Sequence, residues 1–580
     1  MEKHNGEASN LFWVLLETGS NQKYIFSTTK QRLQVAASAA IWSLGYEWVE
    51  EAAQGAARRH GCEYLSDPTE IEQRFGAEVG EQAQYGRTVA HIVKASGKAY
   101  LLVPTRQIGE EIIHAITRKA MMDGTGIDVW GVVSKPIAAN LEDAAQCLRE
   151  ATLQLEAQRY KRTGPSAANP ATPFHARCDY SNEVATMAAK ETRHDARLYL
   201  RSAKTNYLFG QAGEARRRLE DALLAGGGEG LERALLRMTE LDRGINASSW
   251  VGVIHADGNG VGKIFRNLAD VKAKNADNPS GAGREFIIAQ AKLSRGLEAI
   301  TWDAFRQAVQ QVAADHENSV LPILIGGDDV VVMVSGAIAY DFAVALTRQF
   351  QAVATDPNNA HAAEFQHMFR EIREVLGADT STPASQNAEQ LSMAAGVLLT
   401  KIKHPFHHSV TVAEELTSFA KARTRAESSV AVHVLYEPSL RPLDTLRDDA
   451  AIEGQCFNMQ PIVVDSEASG MGTTEEFEAM LRTVRGANHA AADAPSRGVL
   501  QMFREALTEA PTVNDACEAL KSAKHRASEL GQQDKLGLLR AIKVDTSKSE
   551  ANLYTAESPT TFITALEVAA VLEAEEEVER

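Results

Sequence analysis

The feature that most restricts how this chain can fold is an order of elements that occurs twice. The apolar stretch NLFWVLLET (10–18) predicts a strand, and a helix follows over 29–44. Within TVAHIVKASGKAYLLVP (88–104), two apolar runs flank Ala95-Ser96-Gly97-Lys98, which is a hairpin signal. A helix over 108–122, a strand over 127–134 and a long helix over 138–160 complete the set. After residue 245 the succession returns. SSWVGVIHAD (248–257) reads as a buried strand ending in an acid, then come a glycine-rich loop, a helix and a long amphipathic helix over 284–316. SVLPILI (319–325), Gly326-Gly327-Asp328-Asp329 and VVVMVSG (330–336) make a second hairpin. A helix (337–353), a polar insertion (355–390), a strand (392–403), a helix (412–424) and a last strand (428–437) follow. Each half has the β-α-β-β-α-β order of ferredoxin-like domains. The fold class expected is α/β in the α+β sense: two ferredoxin-like domains in pseudo-symmetric arrangement, a helical linker region and a helical C-terminal domain.

The expected boundaries are 1–160 for the first unit, 161–244 for a Pro-rich linker and small helical region, 245–436 for the second unit and 437–580 for the helical remainder. A chain of 580 residues is too long for one core. KRTGPSAANPATPFHARCDYSN (161–182) shows no period and is the clearest linker. Residues 183–244 and 438–580 read as helical, and the tail EAEEEVER (573–580) as a frayed, solvated end. With 77 acidic and 60 basic residues the net charge is −17, so the chain as a whole carries no electrostatic footprint for duplex nucleic acid. The five cysteines, at 62, 147, 178, 456 and 517, form no Cys-x-x-Cys pair, which argues against a structural zinc ribbon. No apolar signal core opens the chain, and no run of about 18 apolar residues occurs. These observations imply a reducing, cytoplasmic location and no membrane contact.

The chemistry concentrates in the second unit. Phosphoryl transfer needs positioning and charge neutralisation, and two divalent ions about 4 Å apart can clamp the attacking and leaving oxygens. Asp257 ends the first strand of that unit, and Asp328 and Asp329 sit about 70 residues later at a hairpin tip that should pair beside it. Such hard oxygen ligands suit two Mg²⁺ or Mn²⁺ ions. Gly326 and Gly327 before the acids, and Gly258, Gly260 and Gly262 after Asp257, allow unusual turns and close approach of a substrate. With Asn259 they form a loop leading into a helix N-terminus, where backbone N–H groups favour phosphate. Lys421 and Arg425 lie four apart on a helix and share a face suited to a triphosphate, and Lys401 and Lys403 near a strand end are further candidates.

Each piece has a plainer reading. Gly-Gly-Asp-Asp alone can be a turn, Asp-Gly-Asn-Gly a fragment of a calcium loop, and Lys421 with Arg425 a solvated basic face. It is the conjunction that points to chemistry. His404, His407 and His408 flank Pro405 and Phe406 in an expected loop and are poor metal candidates. The pair His194-Asp195 lacks suitably spaced partners for a metal phosphohydrolase, and Cys178 lacks a neighbouring cysteine.

HADGNGVG (255–262), LIGGDDVVVMVSG (324–336), MAAGVLLTKIKHPF (393–406) and AEELTSFAKARTR (413–425) together resemble the large, polymerase-like subunit of type III CRISPR effector complexes. More distantly they resemble GGDEF-type nucleotide cyclases, whose Ala-Lys-x-x-x-Arg signature would place Lys421 and Arg425 on the triphosphate. ETGSNQKYIFSTTKQRLQVAAS (17–38) resembles the opening of the family's first Palm domain; Ala36-Ala37-Ser38 stands where the family often has Gly-Gly-Ser, making Ser38 a nucleotide candidate. The resemblance implies two Palms, the first degenerate and metal-free, and ATP or another nucleoside triphosphate as substrate. It implies a cyclic oligoadenylate-type messenger as product, in antiviral defence. The partners implied are nucleoside triphosphates, RNA, effector subunits of the CRISPR type and a second copy of the chain. It also implies a relative stripped of the family's N-terminal His-Asp nuclease domain, because the first Palm starts near residue 8, and of its zinc ribbon. A non-enzymatic effector subunit that binds nucleotide and RNA is the alternative; a templated polymerase lacks recognisable fingers and thumb.

Overall fold

The computed structural model describes residues 11–76, 85–161, 172–191, 196–225, 227, 230–235, 250–376, 391–424, 427–436, 440–465, 472–489, 494–532 and 561–579. Five strands build the first sheet: β1 (Leu11–Thr18), β2 (Glu63–Leu65), β3 (Thr88–Ala95), β4 (Lys98–Val103) and β5 (Val129–Ile137). Their order is β2-β3-β4-β1-β5. Without the short edge strand β2, this is the second-third-first-fourth order of a ferredoxin-like sheet. Helices α1 (Gln31–Ser43), α2 (Arg106–Met122) and α3 (Ala144–Lys161) connect the strands and cover them.

The stretch read as wholly helical after the linker begins otherwise. Met187–Ala189 (β6) and Tyr199–Arg201 (β7) pair antiparallel before α4 (Ala203–Leu224). Three-residue strands show no period against which a helix can be rejected, which is why the sequence pattern missed both them and β2.

The second sheet repeats the pattern with β8 (Trp250–Gly258), β9 (Val320–Gly326), β10 (Asp329–Ser335) and β11 (Met393–Lys401), extended by β12 (Ser429–Val434). Beyond a two-stranded hairpin, β13 (Ala451–Ile452) and β14 (Gln455–Cys456), the strand β15 (Ile462–Val463) adds the edge, giving β15-β12-β11-β8-β10-β9. The central strands β8 and β11 are almost continuously apolar because both their faces are covered. The covering helices are α5 (Val261–Asn275), α6 (Pro279–Ala308), α7 (Ala339–Thr355), α8 (Ala360–Leu376) and α9 (Phe406–Thr424).

Helix α6 starts where Asn278 caps the backbone N–H of Gly281 and Pro279 supplies the first turn. Its side chains reach into the first half: Lys292 pairs with Glu72 at 2.7 Å, Ser294 donates to Lys94 O at 3.3 Å, and Tyr46 donates its hydroxyl proton to Glu298. One helix of the second unit is therefore packed between the two sheets.

Two readings are corrected here. The polar insertion contains α8, whose Ala362, Phe365 and Met368 are buried at three-residue spacing; the surrounding polar residues obscured that stripe. The acidic tail is not frayed: α13 (Phe562–Glu579) docks on the second unit through buried Phe562, Ile563, Val568 and Val571. Three of its acids have partners. Glu575 accepts the Trp250 backbone N–H at 3.1 Å, Glu573 accepts from Asn488 at 2.7 Å, and Glu576 pairs with Arg485. Before it lie α10 (Thr474–Asn488), α11 (Arg497–Thr508) and α12 (Val513–Glu529). Replacing Glu575 by Ala removes a charge-assisted bond to the first residue of β8, so urea unfolding should show a loss of about 1.5–3 kcal/mol. An unchanged midpoint and slope would mean the helix is held by its apolar face alone.

Candidate functional site

The antiparallel register of β8 and β10 pairs Asp257 directly with Asp329, which brings together acids 72 positions apart in sequence. Asp328 lies against the next residue: a Cβ placed on Gly258 would be 2.9 Å from Asp328 Cβ and 3.0 Å from its Oδ2. Only glycine permits that approach. The Gly258 N–H in turn donates to Asp328 O at 3.2 Å, closing the hairpin tip onto the end of β8. Gly327, with φ +64°, turns the tip, and its carbonyl accepts from Thr301 of α6. Gly260, with φ +72°, caps the start of α5, and side chains at Gly260, Gly262 or Gly327 would meet nothing within 4 Å. The backbone beside the acids is thus bare without packing as the reason.

The three carboxylates repel one another. Burial, then the charges of Asp257 and Asp329, push the Asp328 carboxyl up to about 7, against which Lys421 pulls only weakly. Asp257 is balanced by Lys421 of α9, whose ammonium pairs with its Oδ2 and donates to Gly258 O at 2.8 Å. Asp329 Oδ1 lies 3.2 Å from Nε2 of buried His255, off the direction of a formed hydrogen bond. The His255 Nδ1 stands 3.1 Å from Thr417 Oγ1, also of α9. Burial disfavours the charged imidazole, but Asp329, Glu414 and Asp257 outweigh it and raise the pKa of His255. Among the described residues, no three His, Cys, Asp or Glu side chains close into one metal cage, because Asp257 faces Lys421 and Asp329 faces His255. As a donor set the acids fit a hard cation: three oxygen-only ligands at adjacent strand ends, one of them with its carboxyl pKa raised by burial and by its neighbours' charge.

The remaining expected residues divide. Asn259 is a clamp: its amide donates to Ser392 Oγ at 2.9 Å and Glu427 O at 3.0 Å, and its N–H to Ser392 O at 2.8 Å, tying the loop to the entries of β11 and β12. Its amide donors are therefore not presented to a ligand. Lys401 is not at this site. β11 runs antiparallel to β8, so Lys401 pairs with Trp250 while Ala394 pairs with Asp257, and the Lys401 ammonium stacks 3.8 Å from the Trp250 ring. Lys403, beyond it, is exposed. Ser38 is buried in α1, a helix that packs against β9. Arg425, His194 and Asp195 lie outside the described residues. Of the expected histidine loop, His404 lies in the turn before α9, and His407 and His408 lie in the first turn of that helix, which begins at Phe406. The five cysteines are all free thiols.

Sequence reasoning missed His255 and Thr417. A signal existed for the first: a residue two before Asp257 on a strand shares its face. It also missed the first half's counterpart of the acid pair. Glu17 of β1 is the register partner of Lys98 of β4, as Asp257 is of Asp329. Lys98 lies 3.2 Å from Glu17, Tyr100 donates to it at 2.6 Å and Arg159 at 2.6 Å. Burial would raise the Glu17 pKa, but these partners hold it below the usual range. The two hairpin tips meet: a Cβ on Gly326 would stand 3.1 Å from Ser96 Cβ.

Residues 250–429 match the family model described as Cas10/Cmr2, second palm domain. No curated protein matches the sequence. Among solved structures, a Csm1-Csm4 cassette in complex with cA4 is 11% identical over 98% of this chain and 71% of that one, with a TM-score of 0.47. The apo Csm1-Csm4 cassette gives 12%, 98%, 70% and 0.48, and Csm1 in T. onnurineus 13%, 98%, 69% and 0.46. The segment that carries all three acids is therefore the part of the chain that matches a Cas10/Cmr2 second palm domain.

Proposed function

We propose that this protein is a metal-dependent nucleotidyltransferase that joins nucleoside triphosphates into a cyclic oligonucleotide, of the oligoadenylate type, as an antiviral signal. The observation that carries the reading is the convergence of Asp257, Asp328 and Asp329 beside a glycine loop left bare at a helix N-terminus. In each step a ribose hydroxyl oxygen bonds to the α-phosphorus of a second triphosphate. The bond from that phosphorus to the bridging oxygen breaks, pyrophosphate leaves, and the hydroxyl proton passes to solvent. The three aspartates would hold Mg²⁺ or Mn²⁺, which when bound neutralises phosphate charge and lowers the hydroxyl's pKa. Backbone N–H groups at the start of α5 receive phosphate oxygens. Lys421, four residues from Thr417 on the same helix face, transfers from Asp257 to the triphosphate when the aspartate takes up its other role.

The Lys421–Asp257 pair also favours a second reading, because it balances the charge of Asp257 without any ion. In that reading the chain is a non-enzymatic subunit of an RNA-guided complex that binds nucleotide and RNA. The two are separated by incubating the full chain with each labelled triphosphate and Mg²⁺ or Mn²⁺, alone and with RNA-bound companion subunits. Mass spectrometry should find pyrophosphate and a cyclic product whose formation stops with chelator. No product from any triphosphate under either condition would leave only the binding role.

A further inference from the structure

We propose that His255 is a positioning residue that orients the Asp329 carboxylate and, through Thr417, couples it to α9, the helix that also holds Asp257. The inference rests on the metal-dependent reading above.

His255 and Asp257 share one face of β8, because side chains two apart on a strand point the same way. The imidazole is 5% exposed, so it is not there as a solvated surface group. Its two nitrogens face two elements. Nε2 lies 3.2 Å from Asp329 Oδ1 on β10, and Nδ1 lies 3.1 Å from Thr417 Oγ1 on α9. Thr417 is itself fixed, its Oγ1 lying 2.8 Å from His255 O and 2.9 Å from Ala413 O. One turn further along α9, Lys421 reaches Asp257 and Gly258 O. A single helix face therefore addresses both acids, one directly by Lys421 and one through His255. Among the described residues Asp329 Oδ1 has no formed hydrogen bond, and the imidazole Nε2 at 3.2 Å is a close polar neighbour placed to orient the carboxylate.

The plainer account is a core histidine satisfied by Thr417 alone. His433 of β12 shows what a core histidine in this same sheet looks like: it is buried, with neither ring nitrogen hydrogen-bonded. His255 differs in having each ring nitrogen within 3.2 Å of a polar atom, one of them a carboxylate oxygen of the site. Groups that orient metal-binding side chains from outside the ligand set act by fixing direction, and losing one typically lowers metal affinity by about 10–100-fold.

The test uses the full chain and Mn²⁺, read by electron paramagnetic resonance titration without nucleotide, alongside nucleotide affinity measured without metal. Asp329→Asn serves as the positive control and His433→Leu as the packing control. His255→Leu should weaken Mn²⁺ binding by about 10–100-fold and leave metal-free nucleotide affinity unchanged. His255→Gln, which restores an N–H donor, should recover part of the loss. Thr417→Val should weaken binding in the same direction, and the two losses should not add, as for residues in one contact chain. Wild-type Mn²⁺ affinity in a folded His255→Leu chain overturns the inference while the metal-dependent reading stands. A wild-type chain that binds no Mn²⁺ overturns that reading and this inference with it. Should His255→Leu not fold, His255→Gln and Thr417→Val carry the comparison: intact affinity in Thr417→Val severs the proposed coupling.

Discussion

Replacing Asp328 and Asp329 together by alanine should abolish product formation and, in the absence of divalent ions, raise the melting temperature. The first effect follows from the loss of two of three candidate ligands. Charge stabilisation of this kind is worth several kcal/mol in the transition state, so the rate should fall on the order of 10³-fold or more. The second follows from electrostatics: Asp328 is crowded by burial and by the charges of Asp257 and Asp329, and removing two of the three relieves that crowding. The pH dependence has a definite sign. A carboxyl whose folded-state pKa is raised contributes stability below the ordinary carboxylate range, and that contribution is lost as pH climbs through about 7. Thermal melts of the metal-free wild type should therefore decline across this window, and melts of the double variant should lack the Asp328 part of the decline. Full activity in the double variant would remove these residues from the metal assignment; a lower melting temperature would mean the hairpin tip needs them for its fold.

Lys421→Ala is the second large expectation. If the ammonium moves to the triphosphate on substrate binding, its loss removes a charge-assisted phosphate contact worth roughly 1.5–3 kcal/mol. Nucleotide affinity at fixed Mg²⁺ should then fall about 10- to 100-fold. The observed pair adds a discriminating counterpart. Lys421 holds Asp257 in the ligand-free protein, so the alanine variant frees that carboxylate and should bind Mn²⁺ at least as tightly as the wild type. Its effect on folding should be small, since the two side chains are 24% and 38% exposed and a pair so placed contributes little. Titration of a non-hydrolysable triphosphate and of Mn²⁺ into the same variant separates the outcomes. Unchanged nucleotide affinity returns Lys421 to a purely structural role on Asp257, and a loss of both affinities makes it part of the acid cluster's scaffold.

How much could be read from the residues depends on whether the signal was local. Apolar runs and the Gly-Gly-Asp-Asp turn lie in continuous sequence, and both hairpins form where those patterns put them. Strand direction is not local. Lys401 closes the strand β11, and antiparallel pairing carries it to the end of β8 opposite Asp257. Polar residues in a glycine loop are ambiguous for a similar reason: Asn259 sits among residues bare enough to admit a ligand, but its amide is committed to Ser392 and Glu427 from distant parts of the chain. The acids of α13 were misread because charge was counted without the apolar face that precedes it or the donors waiting on α10 and β8. His255 escaped notice because its significance comes from two partners, each brought to it by tertiary packing.

The two sheets hold four side chains at equivalent rungs, Glu17 with Lys98 and Asp257 with Asp329. In the first half the counter-charges come from the neighbouring strand, as Lys98, and from a helix, as Arg159. In the second half the neighbouring strand contributes another negative charge, and the compensating ammonium arrives from a helix lying across the sheet. One half thus carries opposite charges across this rung and the other carries like charges compensated from outside the sheet, which makes a nearly two-fold scaffold one-sided at its working edge.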